Sequence, residues 1–383
     1  MQKTDLIIIG GGVLGTFHAY HALQGGLTVR LFEKNQRPHG ATVRNFGQIV
    51  PSGMGIKWQN YGRRSLEIYK ALDQQIDLYF QHQGSTYIAS NAEEWTLLQE
   101  LHDINQANGY LSKLRSKKRC EQQLPNLKQD YCQGALFFPE EISADPMKMI
   151  HRVLAYLGEQ QGLHYHPATL IQSAVQANGS CEVEDQYGKL YQAEKIIVCN
   201  GSEFQYLFPA IFAESDLEIS KLQMLQTVPQ QQVKIPGNIL TGLSIRRYES
   251  FRDCPSYAAI KSKEPDDSFW KRWGVHILFK QGQDGSVVIG DSHEYADANA
   301  VDKLDFMIKD AINQYILQEA RKIFHLDDWS IQQSWYGIYS QCKTQDVFLY
   351  DVAPHLHIVT GIGGKGMTAS PGFAEANLAR LIS

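Results

Sequence analysis

The sequence predicts an α/β fold: a Rossmann-like dinucleotide-binding domain joined to a second, α+β domain built on a mainly antiparallel sheet. Three observations predict it. A strand–glycine turn–helix–strand unit occupies Asp5–Lys34, a second strand–glycine loop–helix lies near the C-terminus, and short strand signals recur in the middle of the chain.

In the first unit a short apolar run, Leu6–Ile9, enters Gly10-Gly11-Gly12-Val13-Leu14-Gly15. A helix-compatible stretch follows, then Gly25-Gly26, a second apolar run over Leu27–Phe32, and Glu33-Lys34. This is the G-x-G-x-x-G layout of a dinucleotide site. Gly10 permits the tight turn, Gly12 lets a pyrophosphate approach the backbone, and Gly15 lets the helix lie close to the strand. Val13 and Leu14 open the helix, whose free N–H groups and partial positive charge attract phosphate. Glu33 is placed to accept hydrogen bonds from ribose hydroxyls, and it disfavours a 2′-phosphate and hence NADP.

The motif alone leaves FAD and NAD open. The next segment, Pro38–Gly47, is a small-residue turn that suits a long cofactor running past the pyrophosphate. In it Thr42 is placed for a phosphate oxygen, Arg44 for charge near the phosphates or a flavin ring, and Asn45 and Phe46 for contact. A polar surface loop with an incidental Arg is the plainer alternative. Near the C-terminus, an apolar strand at Leu356–Val359 leads into Thr360-Gly361-Ile362-Gly363-Gly364-Lys365-Gly366-Met367-Thr368, and a helix is expected over Pro371–Ile382. Such a helix start can stabilise the negative charge that a reduced flavin acquires on its pyrimidine edge. A third strand, in Glu194–Ser202, ends in a small polar turn containing Gly201, where the sheet would return under the cofactor.

Composition sets bounds. The 383 residues suffice for two domains with a large core, and 43% hydrophobic and 20% charged residues are ordinary for a globular protein. A net charge of −5 gives no sign of nucleic-acid binding. No apolar stretch is long enough for a membrane span, and no signal peptide is apparent. Cys120, Cys132, Cys181, Cys199, Cys254 and Cys342 lack C-x-x-C spacing, which fits reduced thiols in a cytoplasm. The expected organisation is discontinuous. Residues 1–85, 143–215 and 330–383 form the dinucleotide-binding domain, and 86–142 and 216–329 the other. Strands are expected at Gln223–Val228, Val275–Phe279 and Ser286–Gly290, with helices at Trp95–Asn108 and Pro146–Gln160.

These landmarks, in this order, resemble the D-amino-acid oxidase superfamily of FAD enzymes, which includes glycine oxidase and monomeric sarcosine oxidase. The resemblance spans essentially the whole chain and implies a glutathione-reductase-type FAD-binding domain. Gly134–Glu141 with Asp145-Pro146, and Val287–Ser292, look like two further family stretches. More narrowly, Ala41–Gly47 (ATVRNFG) and Gly290–Tyr295 (GDSHEY) resemble a subgroup associated with breakdown of aminoalkylphosphonates and their N-methyl derivatives. Sarcosine oxidases link FAD covalently to a Cys in a C-x-Y stretch. Here that stretch is Gly337-Ile338-Tyr339, so non-covalent FAD is expected, with Cys342 as the alternative attachment.

The resemblance implies an FAD-dependent oxidation of a C–N bond in a small anionic amine, with oxygen or another carrier as electron acceptor. Glycine, sarcosine or D-amino acids are alternative substrates, and an NAD-linked dehydrogenase or a non-catalytic flavoprotein are competing readings. Lys365 and His293 are the catalytic candidates. Lys365 would reach an anionic group, although the family's substrate-binding Lys aligns with Thr368. His293 would tune the amine's protonation. Arg44, Arg247, Tyr248 and Tyr339 are the substrate-binding candidates, with Arg246 and Tyr336 beside them. A solvated Lys, a surface basic pair, a structural His and packed tyrosines are the plainer alternatives. Lys261, Lys263 and Lys280 are unranked candidates for assisting oxygen. His18 and His21, at i, i+3, are expected to pack or face solvent; no metal site is expected.

Overall fold

The computed structural model describes residues 4–177 and 179–382. Its first sheet is built around Thr4–Ile9, which pairs in parallel with Leu190–Val198 on one side and Val29–Phe32 on the other. His164–His166 and Leu356–Thr360 extend it in parallel, and Phe348–Ala353 closes one edge antiparallel. Central parallel strands are covered on both faces, which is why Leu6–Ile9 is continuously apolar and buried. Helices Val13–Gln24, Ile56–Asp73, Pro146–Gln160 and Gly366–Ile382 supply one core. The hairpin Ile171–Ala177/Ser180–Asp185 covers the other face.

The second sheet has nine strands. Its longest pairing joins Leu217–Thr227 to Ile331–Cys342, and the same strand also pairs antiparallel with Val287–Gly290 and Glu294–Asp297. Leu278–Gln281, Asn238–Leu240, Ser85–Ala89, Gly134–Phe138 and Lys113–Ser116 follow across it. Only the pairing of Asn238–Leu240 with Ser85–Ala89 is parallel. The mainly antiparallel expectation therefore holds.

Local signals placed most elements well. Asp145 caps the helix Pro146–Gln160 by accepting from the backbone N–H groups of Met147 and Lys148. Asn91 caps Ala92–Ala107, three residues ahead of the expected start at Trp95. Two readings change. The stretch 331–342, expected with the dinucleotide-binding part, hydrogen-bonds into the second sheet. Its backbone groups need a strand partner, and Leu217–Thr227 provides one along nearly its whole length. The C-terminal helix starts at Gly366, not Pro371. Pro371 has no N–H for the carbonyl of Met367, one turn back. The Tyr69 hydroxyl donates to that carbonyl at 2.8 Å instead, and Ser65 Oγ accepts from Gly372 N at 2.9 Å. Neighbouring helix Ile56–Asp73 thus supplies two of the bonds that the proline disrupts.

Candidate active site

A cavity of about 1180 Å³ is lined by residues from both sheets. One end holds the first glycine turn and Glu33, the middle holds Asn200, Gly201 and the C-terminal glycine loop, and the far end holds Arg247, Tyr248, His276, Asp291, His293 and Tyr339.

At the first end the three glycines divide their work. Gly10 has φ +109°, and a Cβ there would meet the Cys199 carbonyl oxygen at 2.2 Å. A Cβ on Gly15 would meet the Gly10 carbonyl oxygen at 1.9 Å. Both are required by packing alone. Gly12 would meet only Thr42 Oγ1, at 3.3 Å, so its lack of side chain leaves the cavity side open. The helix that begins at Val13 has no side-chain cap and no acid in its first turn, which leaves its positive end for an anion. Thr42 Oγ1 accepts from Val13 N at 2.9 Å and ties the next segment to this turn. Glu33 is buried. Its carboxylate accepts from Gly11 N at 3.0 Å and Asn35 N at 2.9 Å, so it is held at the cavity wall. Lys34 is half-exposed and pairs with Glu203 at 2.5 Å. Asn45 supports the loop, donating to Thr42 O at 2.6 Å and accepting from Gly47 N at 2.7 Å. Phe46 packs into the second-sheet core beside Leu222 and Tyr87.

In the middle, Gly201 O accepts from Ser340 Oγ at 2.9 Å and Thr360 Oγ1 at 2.6 Å, joining three strand ends. Asn200 lines the cavity, and its buried Oδ1 has no hydrogen-bond partner among the described residues. Gly361 and Gly363 adopt positive φ, +68° and +65°, and lead through a 3₁₀ turn, Gly363–Lys365, into Gly366–Ile382. Gly364, Gly366 and Met367 complete this wall. The helix again has no acid in its first turn. Thr368 Oγ1 accepts from Val50 N at 3.2 Å, which pins the helix start. An open glycine turn at a helix start free of acids, a buried carboxylate fixed at the cavity wall, an orphan amide oxygen and a second helix start along one cavity fit a dinucleotide as long as FAD.

The far end departs from expectation. Lys365 lies 2.8 Å from Glu249 and 3.6 Å from Asp346, with its ammonium 5.7 Å from the Trp58 ring centroid. The cation expected to await an anionic substrate is already matched by two carboxylates. Arg247 is different: Nη2 donates to the Tyr295 hydroxyl at 2.7 Å, and among the described residues no carboxylate lies within ion-pair distance of it. Arg44 likewise has no ion pair among them, and its carbonyl accepts from Trp335 Nε1 at 3.1 Å. Arg246 pairs with Glu94 at 2.9 Å and Glu93 at 3.4 Å, outside the cavity. Burial raises the hydroxyl pKa values of Tyr248 and Tyr339, which remain donors. Tyr336 does not line the cavity; Lys221 lies 5.0 Å over its ring.

His293 Nδ1 faces the Gly274 carbonyl at 3.1 Å, so Nδ1 carries the proton and Nε2 is left as an acceptor. Burial, then the Arg247 charge, hold this imidazole well below the usual histidine range. Sequence reasoning missed His276 and Asp291. His276 Nε2 lies 2.5 Å from Asp291 Oδ1, and the imidazoles of His276 and His293 stack at 5.4 Å. The hairpin register pairs Leu278 with Gly290 and so brings His276 beside Asp291. That register was readable from the two strand signals flanking one turn. The ligating atoms of His276, Asp291 and His293 lie within 4.8 Å of one another. The direct His276–Asp291 contact, at 2.5 Å, is one that a cation would have to open. His18 is buried, its Nδ1 bonded to Leu14 O at 2.7 Å and its pKa lowered to about 4 by burial, while His21 Nε2 meets Pro371 O at 2.9 Å.

A dinucleotide cradle opening into a small, charged pocket on a second sheet defines a two-domain flavoenzyme. The family model for FAD dependent oxidoreductases (DAO) matches residues 5–380, and the chain belongs to that family. It is an FAD-dependent oxidoreductase. A subunit of opine oxidase from Rhizobium meliloti is 21% identical over 366 residues, covering 92% of this chain and 85% of that protein. Human mitochondrial dimethylglycine dehydrogenase is 22% identical over 206 residues, 52% of this chain but 23% of that longer protein. Among solved structures, glycine oxidase from Bacillus cereus superposes with a TM-score of 0.77 at 18% identity, covering 99% of this chain and 95% of that one. L-proline dehydrogenase from P. horikoshii gives 0.79 at 18% identity, covering 100% and 94%. At these identities the structures establish the fold. No helix among the described residues is long and apolar enough to cross a membrane.

Proposed function

We propose that this chain oxidises the C–N bond of a small amine bearing an anionic group, with an aminoalkylphosphonate or its N-methyl derivative as the favoured substrate. Glycine, sarcosine or a D-amino acid is the alternative at the same site. The observation that carries this reading is Arg247, a guanidinium on the cavity wall with no carboxylate partner among the described residues. Arg44 is a second such guanidinium on the same cavity, and two forks suit the charge of a phosphonate. The two segments that resemble the aminophosphonate subgroup also meet here: Arg44 comes from one, and Asp291, His293 and Tyr295 from the other.

FAD, when bound, supplies a two-electron acceptor for the hydride on the carbon next to nitrogen. The chain's residues prepare the substrate. Arg247 holds the anion, with the Tyr248 and Tyr339 hydroxyls as donors. Only the neutral amine has a lone pair to form the C=N bond, and the neutral His293 imidazole offers Nε2 as a hydrogen-bond acceptor for its N–H. The start of Gly366–Ile382 stabilises negative charge nearby. Of the three lysines considered for assisting oxygen, Lys261 and Lys263 pair with Glu264 and Glu93. Lys280 is buried beside Gly47, donates to Ala144 O at 2.7 Å, and has its pKa lowered to about 8 by burial. It is therefore the candidate for that role.

The test is anaerobic flavin bleaching by aminoethylphosphonate, its N-methyl form, glycine, sarcosine and D-amino acids. Fastest bleaching by a phosphonate supports the favoured substrate. Fastest bleaching by an amino acid selects the alternative, and no bleaching by any of them overturns the amine reading in favour of a non-catalytic flavoprotein.

A further inference from the structure

The substrate end contains two opposite charges that do not touch. Arg247 is one. Asp291 is the other, a carboxylate that lines the cavity and is only 6% exposed. Glu249 also lines it, but the Lys365 ammonium matches that charge. Asp291 interacts with Arg247 through space, yet the pair forms no ion pair within 4.0 Å among the described residues. A buried carboxylate ordinarily closes on a neighbouring cation, because a buried charge is costly alone.

The groups around Asp291 explain how it stays ionised. His276 lies between Ser244 Oγ, 3.2 Å from Nδ1, and Asp291 Oδ1, 2.5 Å from Nε2. The serine hydroxyl donates to Nδ1, which leaves the ring proton on Nε2, the nitrogen facing the carboxylate. His293 Nδ1 is turned to Gly274 O and gives the carboxylate no hydrogen bond. Burial raises the Asp291 pKa, but His276, His293 and Arg247 together outweigh it and keep the carboxyl below its usual range. His276 Nε2 and His293 Nδ1 lie 2.5 and 3.9 Å from Oδ1, yet among the described residues that buried oxygen accepts no hydrogen bond.

We propose that Asp291 receives the substrate's ammonium opposite Arg247, making the pocket selective for zwitterions with at least one N–H. The inference rests on reading this cavity as the site of a small anionic amine. It adds a specificity-determining residue that holds the ammonium beside the neutral His293 imidazole.

The test uses FAD-loaded enzyme and ligands that cannot be oxidised, because the carbon next to the nitrogen carries no hydrogen. 2-Amino-2-methylpropylphosphonate is compared with 2,2-dimethylpropylphosphonate, and 2-aminoisobutyrate with trimethylacetate. Within each pair an ammonium replaces a methyl at nearly constant shape. Calorimetry on the wild type should show the ammonium member of the better-bound pair binding roughly 10- to 100-fold more tightly. Asp291→Asn, which keeps an acceptor for His276, should erase that preference while leaving the amine-free member bound as well as before or better. Equal binding of both members by the wild type overturns the proposal without needing the variant. So does a preference that survives Asp291→Asn. If neither pair binds the wild type, the small-anion reading of the cavity falls and this proposal with it; binding without preference removes this proposal alone.

Discussion

The Lys365 ammonium stands 2.8 Å from the Glu249 carboxylate, at the point where the C-terminal glycine loop meets the second domain's wall. Charge on the loop is therefore already compensated, and the free positive charge at the substrate end belongs to Arg247. A cation without a carboxylate partner binds an anion more strongly than one that must first give up an ion pair.

The ranking of the two cations follows. Lys365→Met should lower kcat/KM for an anionic amine by less than about 1 kcal/mol, since it removes a partly exposed ion pair. Arg247→Met should cost about 2–5 kcal/mol for the same substrate, with FAD content unchanged. Steady-state kinetics on both variants decide the matter, and the reverse order would restore Lys365 as the anchor.

The glycines separate fold from cofactor. Gly12→Val should leave a folded protein with the melting temperature of the wild-type apoprotein but without FAD, because the new side chain meets only Thr42 inside the protein and otherwise enters the cavity. Gly15→Ala should damage folding itself, since its Cβ would lie 1.9 Å from the Gly10 carbonyl oxygen. A yellow Gly12→Val protein at full stoichiometry would show that phosphate binds elsewhere.

Tyr69→Phe should destabilise by about 1–3 kcal/mol, the usual range for a buried carbonyl left without a donor. In a Pro371→Ala background the loss should shrink, because alanine at this position restores a backbone N–H for Met367 O. Thermal melts of the four proteins form the double-mutant cycle. Additive losses would mean that the hydroxyl does not substitute for the missing N–H.

Cys342 lines the cavity near Gly361, but burial, aided by Asp216, pushes its thiol up to about 12. A protonated thiol is a weak nucleophile. Acid precipitation should accordingly release all of the FAD into the supernatant, and flavin retained by the precipitated chain would identify a covalent link.

Glu141 gives the fold a pH dependence. It is fully buried and accepts from Ser52 N at 2.8 Å and the Tyr110 hydroxyl at 2.9 Å, while its other oxygen accepts no hydrogen bond from the described residues. Burial raises its pKa from 4.5 to about 7. Between those values the folded state holds more protons than the unfolded one, so this residue makes stability fall as pH rises from 4.5 to 7 and level off above. Glu141→Gln should flatten that slope and stabilise the protein at about pH 8, by up to about 3 kcal/mol. Melting curves across this range that slope equally in both proteins would remove this assignment.

The amino-acid sequence by itself determined the dinucleotide cradle. Each of its signals is local: an apolar run, glycines at fixed spacing, a helix, and an acid at the end of the second strand. The Pro146 helix was equally legible because Asp145 caps it from the adjacent position. Tertiary structure decided which charges are free. Lys365 and Glu249 are 116 residues apart in the chain, and Glu94 and Arg246 are 152 apart, so no local pattern could show that these cations are matched while Arg247 is not. The same holds for Met367, whose carbonyl is satisfied by Tyr69 from a different helix, and for the sheet membership of 331–342, which depends on a partner strand about a hundred residues earlier. Local geometry follows from neighbouring residues, whereas electrostatic and hydrogen-bond partners are set by the packing of distant segments, and that packing exists only in the folded chain.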